Sequence, residues 1–165
     1  MKKLKISQIQ FEAKSTPAEN AKVLKKFFEK TKKFKPDLIC TPECSNIITN
    51  DKNYLKEKAT YEYNCPILDM AKIYANANNV SINIGSLLLK EKNKKKLVNR
   101  SIFINPKGKI IKRYDKIHMF DVNISEKETH RESNTFRAGN NIALLNLNNI
   151  KIGFTICYDL RFPNL

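Results

Sequence analysis

The sequence predicts an α/β domain, in which helices pack against a sheet of several strands. Apolar and polar residues alternate in short segments along the chain, and two longer segments between the early strands have helical periodicity. With 165 residues, of which 41% are hydrophobic, the chain is long enough for one domain with its own core. No repeat, linker or change in composition divides it, so we interpret residues 1–165 as a single domain.

The amino-terminal segment predicts a strand followed by a helix. Residues 3–11 alternate apolar and polar side chains, as in a half-buried strand. The following "TPAE" is typical of a helix start, with Thr16 as N-cap, Pro17 in the first turn and Glu19 completing a capping box. We expect this helix to continue to about Phe34.

The rest of the chain predicts one more helix and a series of strands. A short apolar strand at 37–41 comes first, and a helix begins at Pro66. Further strands are predicted at 80–89, 97–104, 109–116, 142–147 and 150–157. Residues 117–141 have no clear period and exceed an ordinary connection in length, which indicates a functional loop.

Net charge and lysine content do not identify a partner. The formal net charge is +15, and lysine supplies most of the 31 basic residues. These lysines are dispersed and lack interleaved arginine and aromatic residues, so we interpret them as a solvated surface and expect no nucleic-acid partner. A basic module that binds an acidic partner stays open as an alternative reading.

The sequence favours a cytoplasmic protein. The first residues, "MKKLKISQIQF", alternate in hydropathy and do not form the continuous apolar region of a signal peptide. No apolar run approaches the length of a membrane span, so we expect no membrane association. The four cysteines contain no CxxC pair, which favours reduced thiols.

Three reactive side chains follow the ends of predicted strands: Glu43, Lys116 and Cys157. In α/β sheets, that edge is where residues from distant parts of the chain meet a ligand. Each residue alone is a weak signal, because an isolated cysteine is more often a small core residue than a nucleophile. Their combination is more informative than any one of them alone.

Four sequence blocks in order resemble the nitrilase superfamily of carbon-nitrogen hydrolases. They are "TPE" at 41–43, "RYDKIHMFDV" at 113–122, "RESNTFRAG" at 131–139 and "GFTICYDLRFPNL" at 153–165. The resemblance is closest to the branch containing omega-amidase and deaminated glutathione amidase. It implies a four-layer α-β-β-α sandwich. The family pattern continues past Leu165, so we expect this chain to be the amino-terminal portion of the domain, truncated at the carboxyl end.

The resemblance also implies a role for each residue of the site. Cys157 would attack an amide carbonyl to give a thioester and release ammonia, with Glu43 as general base. Lys116 and the backbone N–H of Tyr158 would stabilise the oxyanion. Glu132 matches the second glutamate of the family, which holds the lysine or orients the substrate.

Neighbouring residues receive supporting roles. Arg161 is expected to pair either with a substrate carboxylate or with Asp159, and we favour the structural pairing. Phe120 is expected to line the pocket. Tyr114 and Asp115 are expected to fix the end of their strand.

The implied substrate is a small amide that carries a carboxylate, hydrolysed with water and without a cofactor. We expect no metal, because no histidine or cysteine has ligand-spaced partners. The resemblance implies a homodimer for the complete protein. A catalytically inactive fragment stays open as an alternative.

Overall fold

In the computed structural model, which describes residues 3–125 and 128–165, helices pack on one face of a mixed β-sheet. The strands of the described chain are β1 (Ile6–Gln8), β2 (Leu38–Cys40), β3 (Thr60–Tyr61), β4 (Ser81–Lys90), β5 (Val98–Ile104), β6 (Ile110–Asp115), β7 (Asp121–Asn123), β8 (Thr129–Arg131), β9 (Leu144–Leu147) and β10 (Ile150–Gly153). The α-helices of the same part are α1 (Pro17–Thr31), α2 (Lys52–Lys58) and α3 (Pro66–Asn78).

The main sheet brings the ends of two distant strands to one edge. Its strand order is β1-β2-β4-β5-β6, with β3 also paired to β4. Strands β1, β2 and β4 are parallel, whereas β5 is antiparallel to both β4 and β6. Strands β2 and β6 therefore point the same way, and their carboxyl ends lie at the same edge of the sheet.

Helices α1 and α3 cover one face of this sheet. Leu24 and Phe28 of α1 and Ala71 of α3 are fully buried against the sheet in the largest hydrophobic cluster. The hydroxyl of Tyr74 donates to the carbonyl of Phe28 at 2.6 Å, which joins the two helices. Burial of these apolar surfaces is the main stabilising contribution of this layer.

A small second sheet lies on the opposite face. Strands β9 and β10 form an antiparallel hairpin, and the segment after it buries Phe154 and Ile156 against Phe103 and Tyr114 of the main sheet. The rings of Phe103 and Phe154 meet edge to face, with centroids 6.2 Å apart. The layer order is helix, sheet, sheet, which is three of the four layers of the α-β-β-α sandwich that the family resemblance implies.

The predicted first helix is confirmed. Thr16 has extended backbone angles, and its hydroxyl oxygen accepts from the N–H of Glu19, with Pro17 at the first helical position. The carboxylate of Glu19 accepts from the Thr16 hydroxyl at 2.6 Å. After Thr31 the chain tightens into a 3₁₀ turn that ends at Phe34, the predicted limit.

Three expectations about elements need correction. The helix α2 was not predicted, although Asp51 caps its amino terminus by accepting from two backbone N–H groups. The strand expected to reach Cys157 ends at Gly153. The loop expected at 117–141 contains the short β7–β8 hairpin, apart from residues 126 and 127, which lie outside the described residues.

No helix of the described chain has the length and hydropathy needed to cross a membrane.

Candidate active site

Glu43 reaches the site through a close approach of its loop to β4. The loop after β2 is attached to β4 by a hydrogen bond, which the N–H of Thr41 donates to the carbonyl of Asn83. Near Gly85, a β-bulge interrupts the pairing of β4 with β5. A Cβ atom at Gly85 would lie 2.1 Å from the Thr41 carbonyl oxygen and 2.7 Å from the Pro42 carbonyl carbon. Only glycine permits this contact, so Gly85 allows the loop to present Glu43 at the sheet edge.

Lys116 is held at the end of β6 by backbone bonds on both sides. Its N–H donates to the carbonyl of Asn99, and its carbonyl accepts from the N–H of Gly139 at 2.8 Å. A Cβ at Gly139 would approach the Asp115 carbonyl oxygen to 2.2 Å. The lysine side chain is only 2% exposed, so it needs charged partners inside the site.

Cys157 occupies a turn rather than a strand end. Its φ of 50° lies in the left-handed region, and a 3₁₀ helix runs from Cys157 to Arg161. A non-glycine residue in this region is strained, and its neighbours must hold it there. The residue is exposed, whereas the three other cysteines are buried or half-buried.

The carboxylate of Asp159 fixes this turn to the end of β6. It is buried and accepts from the Tyr114 hydroxyl at 2.6 Å, the backbone N–H of His118 at 2.9 Å and that of Ile156 at 3.0 Å. The Nδ1 atom of His118 lies 2.8 Å from the same carboxylate. An ionised carboxylate only accepts, so Nδ1 carries the proton. The segments that carry Lys116 and Cys157 are thereby joined.

Two glutamates flank the lysine. Both oxygens of Glu132 accept from Nζ of Lys116, at 2.9 and 3.0 Å, while Oε1 of Glu43 lies 3.6 Å from the same nitrogen. Oε1 of Glu43 also accepts from the side-chain amide of Asn99 at 2.8 Å. The structure therefore brings Glu43, Lys116 and Glu132 together.

The thiol of Cys157 belongs to the same cluster. Partial burial raises the pKa of Cys157, the negative charge of Glu43 and a hydrogen bond to it raise this pKa further, and Lys116 acts in the opposite direction. Burial alone would lower the pKa of Lys116, but the hydrogen bonds and charge of Glu132, together with Glu43, raise it. At neutral pH this arrangement holds a thiol beside a carboxylate and a charged lysine.

An open cavity lies over the thiol. Its volume is about 580 Å³, and it is lined by Phe120, Cys157, Tyr158 and Arg161. The rings of Phe120 and Tyr158 meet edge to face, with centroids 5.0 Å apart. Phe120 lines this cavity, as predicted. The size is within the range of small-molecule sites.

The favoured pairing of Arg161 with Asp159 is wrong. The Asp159 carboxylate is already occupied by Tyr114, His118 and Ile156, and it is buried away from solvent. Arg161 is exposed and forms no ion pair among those of the described residues. Its guanidinium is therefore available to the cavity.

A network of ion pairs holds Asp115, the last residue of β6. Arg100 donates to both oxygens of Asp115, at 2.6 and 3.0 Å, and also binds Glu62 and Glu91. Arg137 binds Asp115 and Glu91. Burial would raise the pKa of Asp115, but the two arginines hold it below its ordinary value. Asp115 fixes its strand end, as predicted, through partners that the sequence did not suggest.

Sequence reasoning missed two residues of the site. Asn99 lies on β5, and the sequence around it reads as an ordinary buried strand. His118 has no ligand-spaced partner in the sequence that would single it out, but it binds Asp159 and stacks on Phe162, with ring centroids 3.6 Å apart. Within residues 3–125 and 128–165, no group of three or more His, Cys, Asp or Glu side chains has the arrangement of a metal site.

Comparison with known proteins gives one family. The family model described as carbon-nitrogen hydrolase matches residues 5–165. Deaminated glutathione amidase of Dictyostelium discoideum is 31% identical over 173 residues, covering 100% of this chain and 59% of that protein. Omega-amidase NIT3 of Saccharomyces cerevisiae is 30% identical over 169 residues, covering 99% and 58%.

Solved structures agree with this match. The Caenorhabditis elegans NitFhit protein superposes with a TM-score of 0.88 at 25% identity, covering 97% of this chain and 39% of that chain. The chain spans roughly half the length of the curated relatives that it matches.

Proposed function

Because the chain belongs to the carbon-nitrogen hydrolase family of the nitrilase superfamily, we propose that it hydrolyses a linear, non-peptide amide bond in a small carboxylate-bearing molecule. The proposal rests on one observation, the cluster of Glu43, Lys116 and Cys157 at a single sheet edge below an open cavity. It includes no cofactor, and water is the second substrate.

The first half of the reaction forms a thioester. Glu43 takes the proton of the Cys157 thiol while the sulfur attacks the amide carbon, and the carbonyl oxygen becomes an oxyanion. The raised pKa of Cys157 supports this order, since a thiol that stays protonated at neutral pH needs a base during the attack. Glu43 then returns the proton to the amide nitrogen, the carbon–nitrogen bond breaks, and ammonia leaves.

The second half releases the acid. Glu43 takes a proton from a water molecule, whose oxygen attacks the thioester carbon. The carbon–sulfur bond breaks, the proton returns to the sulfur of Cys157, and the product is a carboxylic acid.

Lys116 and the backbone N–H of Tyr158 are the proposed oxyanion donors. Both oxygens of Glu132 hold the ammonium of Lys116, so its position is fixed before the charge develops. Its raised pKa keeps the group cationic across the neutral range. Glu132 acts through the lysine as a positioning residue.

Arg161 is the proposed carboxylate ligand of the substrate. Its exposed guanidinium borders the cavity over Cys157, and guanidinium groups bind carboxylates through paired hydrogen bonds. The walls formed by Phe120 and Tyr158 suit the short carbon chain between the carboxylate and the amide. The names of the relatives, which include omega-amidase and deaminated glutathione amidase, favour an amide over a nitrile.

Ammonia release from succinamate and 2-oxoglutaramate tests this function, with intact-mass detection of the thioester on Cys157. Cys157→Ala should abolish both signals. Glu43→Gln should lower turnover by at least about a hundredfold. Cys40→Ala, which removes a half-buried thiol outside the cluster, should retain activity. A wild-type chain that is folded but gives neither ammonia nor thioester would contradict the proposal and favour the inactive-fragment reading.

Two further expectations stay predictions. A reducing compartment such as the cytoplasm suits a thiol nucleophile. Homodimerisation would be checked by light scattering of the purified protein.

A further inference from the structure

Asn99 occupies an unusual position beside the proposed base. It lies on β5, is 2% exposed, and donates its side-chain amide to Oε1 of Glu43 at 2.8 Å. Because a carboxylate only accepts, the nitrogen of this amide must face Glu43. The other end of the amide, Oδ1, is buried and has no hydrogen-bond partner among the described residues.

Among the described residues, the unpaired oxygen gives no stabilising reason for an asparagine at this position. A buried acceptor without a partner costs free energy, and an apolar side chain of similar shape would avoid that cost. The backbone of Asn99 already performs a structural task, since its carbonyl accepts from the N–H of Lys116, and any residue can supply that bond. What only the side chain supplies is the donor to Glu43.

That donor competes with Lys116 for Glu43. Oε1 of Glu43 stays 3.6 Å from Nζ of Lys116, longer than the 2.9 Å contact between Lys116 and Glu132. The opposite charges attract, so an unrestrained Glu43 carboxylate would close onto the buried ammonium of Lys116. Such a contact would remove Glu43 from the thiol of Cys157.

We propose that Asn99 is a positioning residue that holds Glu43 off Lys116 and directed toward Cys157. The proposal rests on the proposed function, because it takes Glu43 as the base. The described charged groups that act on the thiol come from three segments: Glu43 after β2, Lys116 after β6 and Glu132 after β8.

The test combines turnover with the pH dependence of Cys157 alkylation by iodoacetamide, measured on the folded chain by mass spectrometry. Glu43→Gln removes the negative charge that raises the pKa of the thiol, so the midpoint of alkylation should move to lower pH. Asn99→Leu should move the midpoint in the same direction, because Glu43 leaves the thiol. It should also lower kcat for succinamate about tenfold with little change in KM.

Two further variants make the result specific. Asn83→Leu is the matched control, since Asn83 lies on the adjacent strand and its side-chain oxygen accepts from the Ser101 hydroxyl, which keeps a second acceptor at the carbonyl of Ile84. Its backbone bond to Thr41 does not depend on the side chain. This variant should leave the midpoint unchanged. Asn99→Thr replaces the side-chain amide by a residue that is favoured in strands. It should shift the midpoint of alkylation as Asn99→Leu does.

The outcomes separate the two proposals. A midpoint that shifts in Glu43→Gln but not in either Asn99 variant overturns the positioning role and leaves the proposed function intact. An unshifted midpoint in Glu43→Gln overturns the pairing of base and thiol, and both proposals with it. If neither Asn99 variant folds, Asn99 belongs to the fold and the positioning role is refuted.

Discussion

Removal of the Asp159 carboxylate should destabilise the turn that begins at Cys157. Asp159→Ala leaves the Tyr114 hydroxyl and the Ile156 N–H buried without an acceptor, while His118 is partly exposed and can reach water. Each orphaned buried donor costs about 1–3 kcal/mol, so the two together predict a loss of about 2–6 kcal/mol in the free energy of unfolding. That is a large part of the total stability of an ordinary domain.

The same carboxylate predicts an acid-sensitive component of stability. Burial would raise the pKa of Asp159, but the hydrogen bonds from Tyr114, His118 and Ile156 lower it below its ordinary value. A group whose pKa is depressed on folding contributes its stability above the unfolded pKa, near 3.9, and loses it as the pH falls through the folded pKa. Asp159→Asn should remove this component, and it should cost about 2 kcal/mol at pH 7 because one acceptor oxygen is lost.

Urea unfolding followed by circular dichroism, from pH 7 down to pH 3, measures both effects. Asp69→Asn is the matched control, because this carboxylate on α3 is exposed and lies 3.7 Å from Lys72. Its loss should change stability by less than about 0.5 kcal/mol. The reasoning is refuted if Asp159→Ala costs under about 1 kcal/mol, or if Asp159→Asn retains the acid sensitivity of the wild type.

Three further predictions concern the residues around the cluster. Gly85→Ala should lower the melting temperature and the yield of folded protein, because its Cβ has no space, whereas Gly153→Ala meets only an ordinary contact at 3.7 Å and should melt like the wild type. Glu132→Gln should move the basic limb of the activity profile to lower pH, since Glu132 is the largest influence that raises the pKa of Lys116. Arg161→Ala should raise KM for succinamate at least about tenfold and leave hydrolysis of neutral butyramide unchanged.

Each of these has a contrary result. Equal melting of the two glycine variants would show that the Glu43 loop can move away from β4. An unshifted basic limb would remove Lys116 from the titration that controls activity. A parallel rise in KM for butyramide would assign Arg161 to the general shape of the cavity.

The sequence predicted elements whose cause is local. Thr16 and Pro17 mark the start of α1 because capping depends on a few adjacent residues. The short helix α2 has Leu55 as its one buried side chain, so it shows no amphipathic stripe from which to predict it. The predicted strand that ends at Cys157 is too long, because apolar residues continue to Ile156. The backbone hydrogen bonding with β9 already ends at Gly153.

The reactive groups of the site could be predicted from the sequence, but the residues that hold them in position could not. Glu43, Lys116 and Cys157 follow from chemistry at strand ends, and the family resemblance adds Glu132. Asn99 and Asp159 act through partners 56 and 41–45 residues away in sequence, and nothing in their neighbours indicates those contacts. The favoured pairing of Arg161 with Asp159 fails because that carboxylate is occupied by Tyr114 and His118, which lie far from it in sequence.

The separation of these segments has a consequence for how the protein folds. The cluster joins groups from the loop after β2, the end of β6, the turn after β8 and the turn after β10, so no short segment contains a working part of it. Contacts between distant segments form late, because closing the intervening chain carries an entropy cost. We expect a nascent or partly folded chain to hold Cys157 as an ordinary thiol, which gains its carboxylate and lysine neighbours only when the sheet edge is complete.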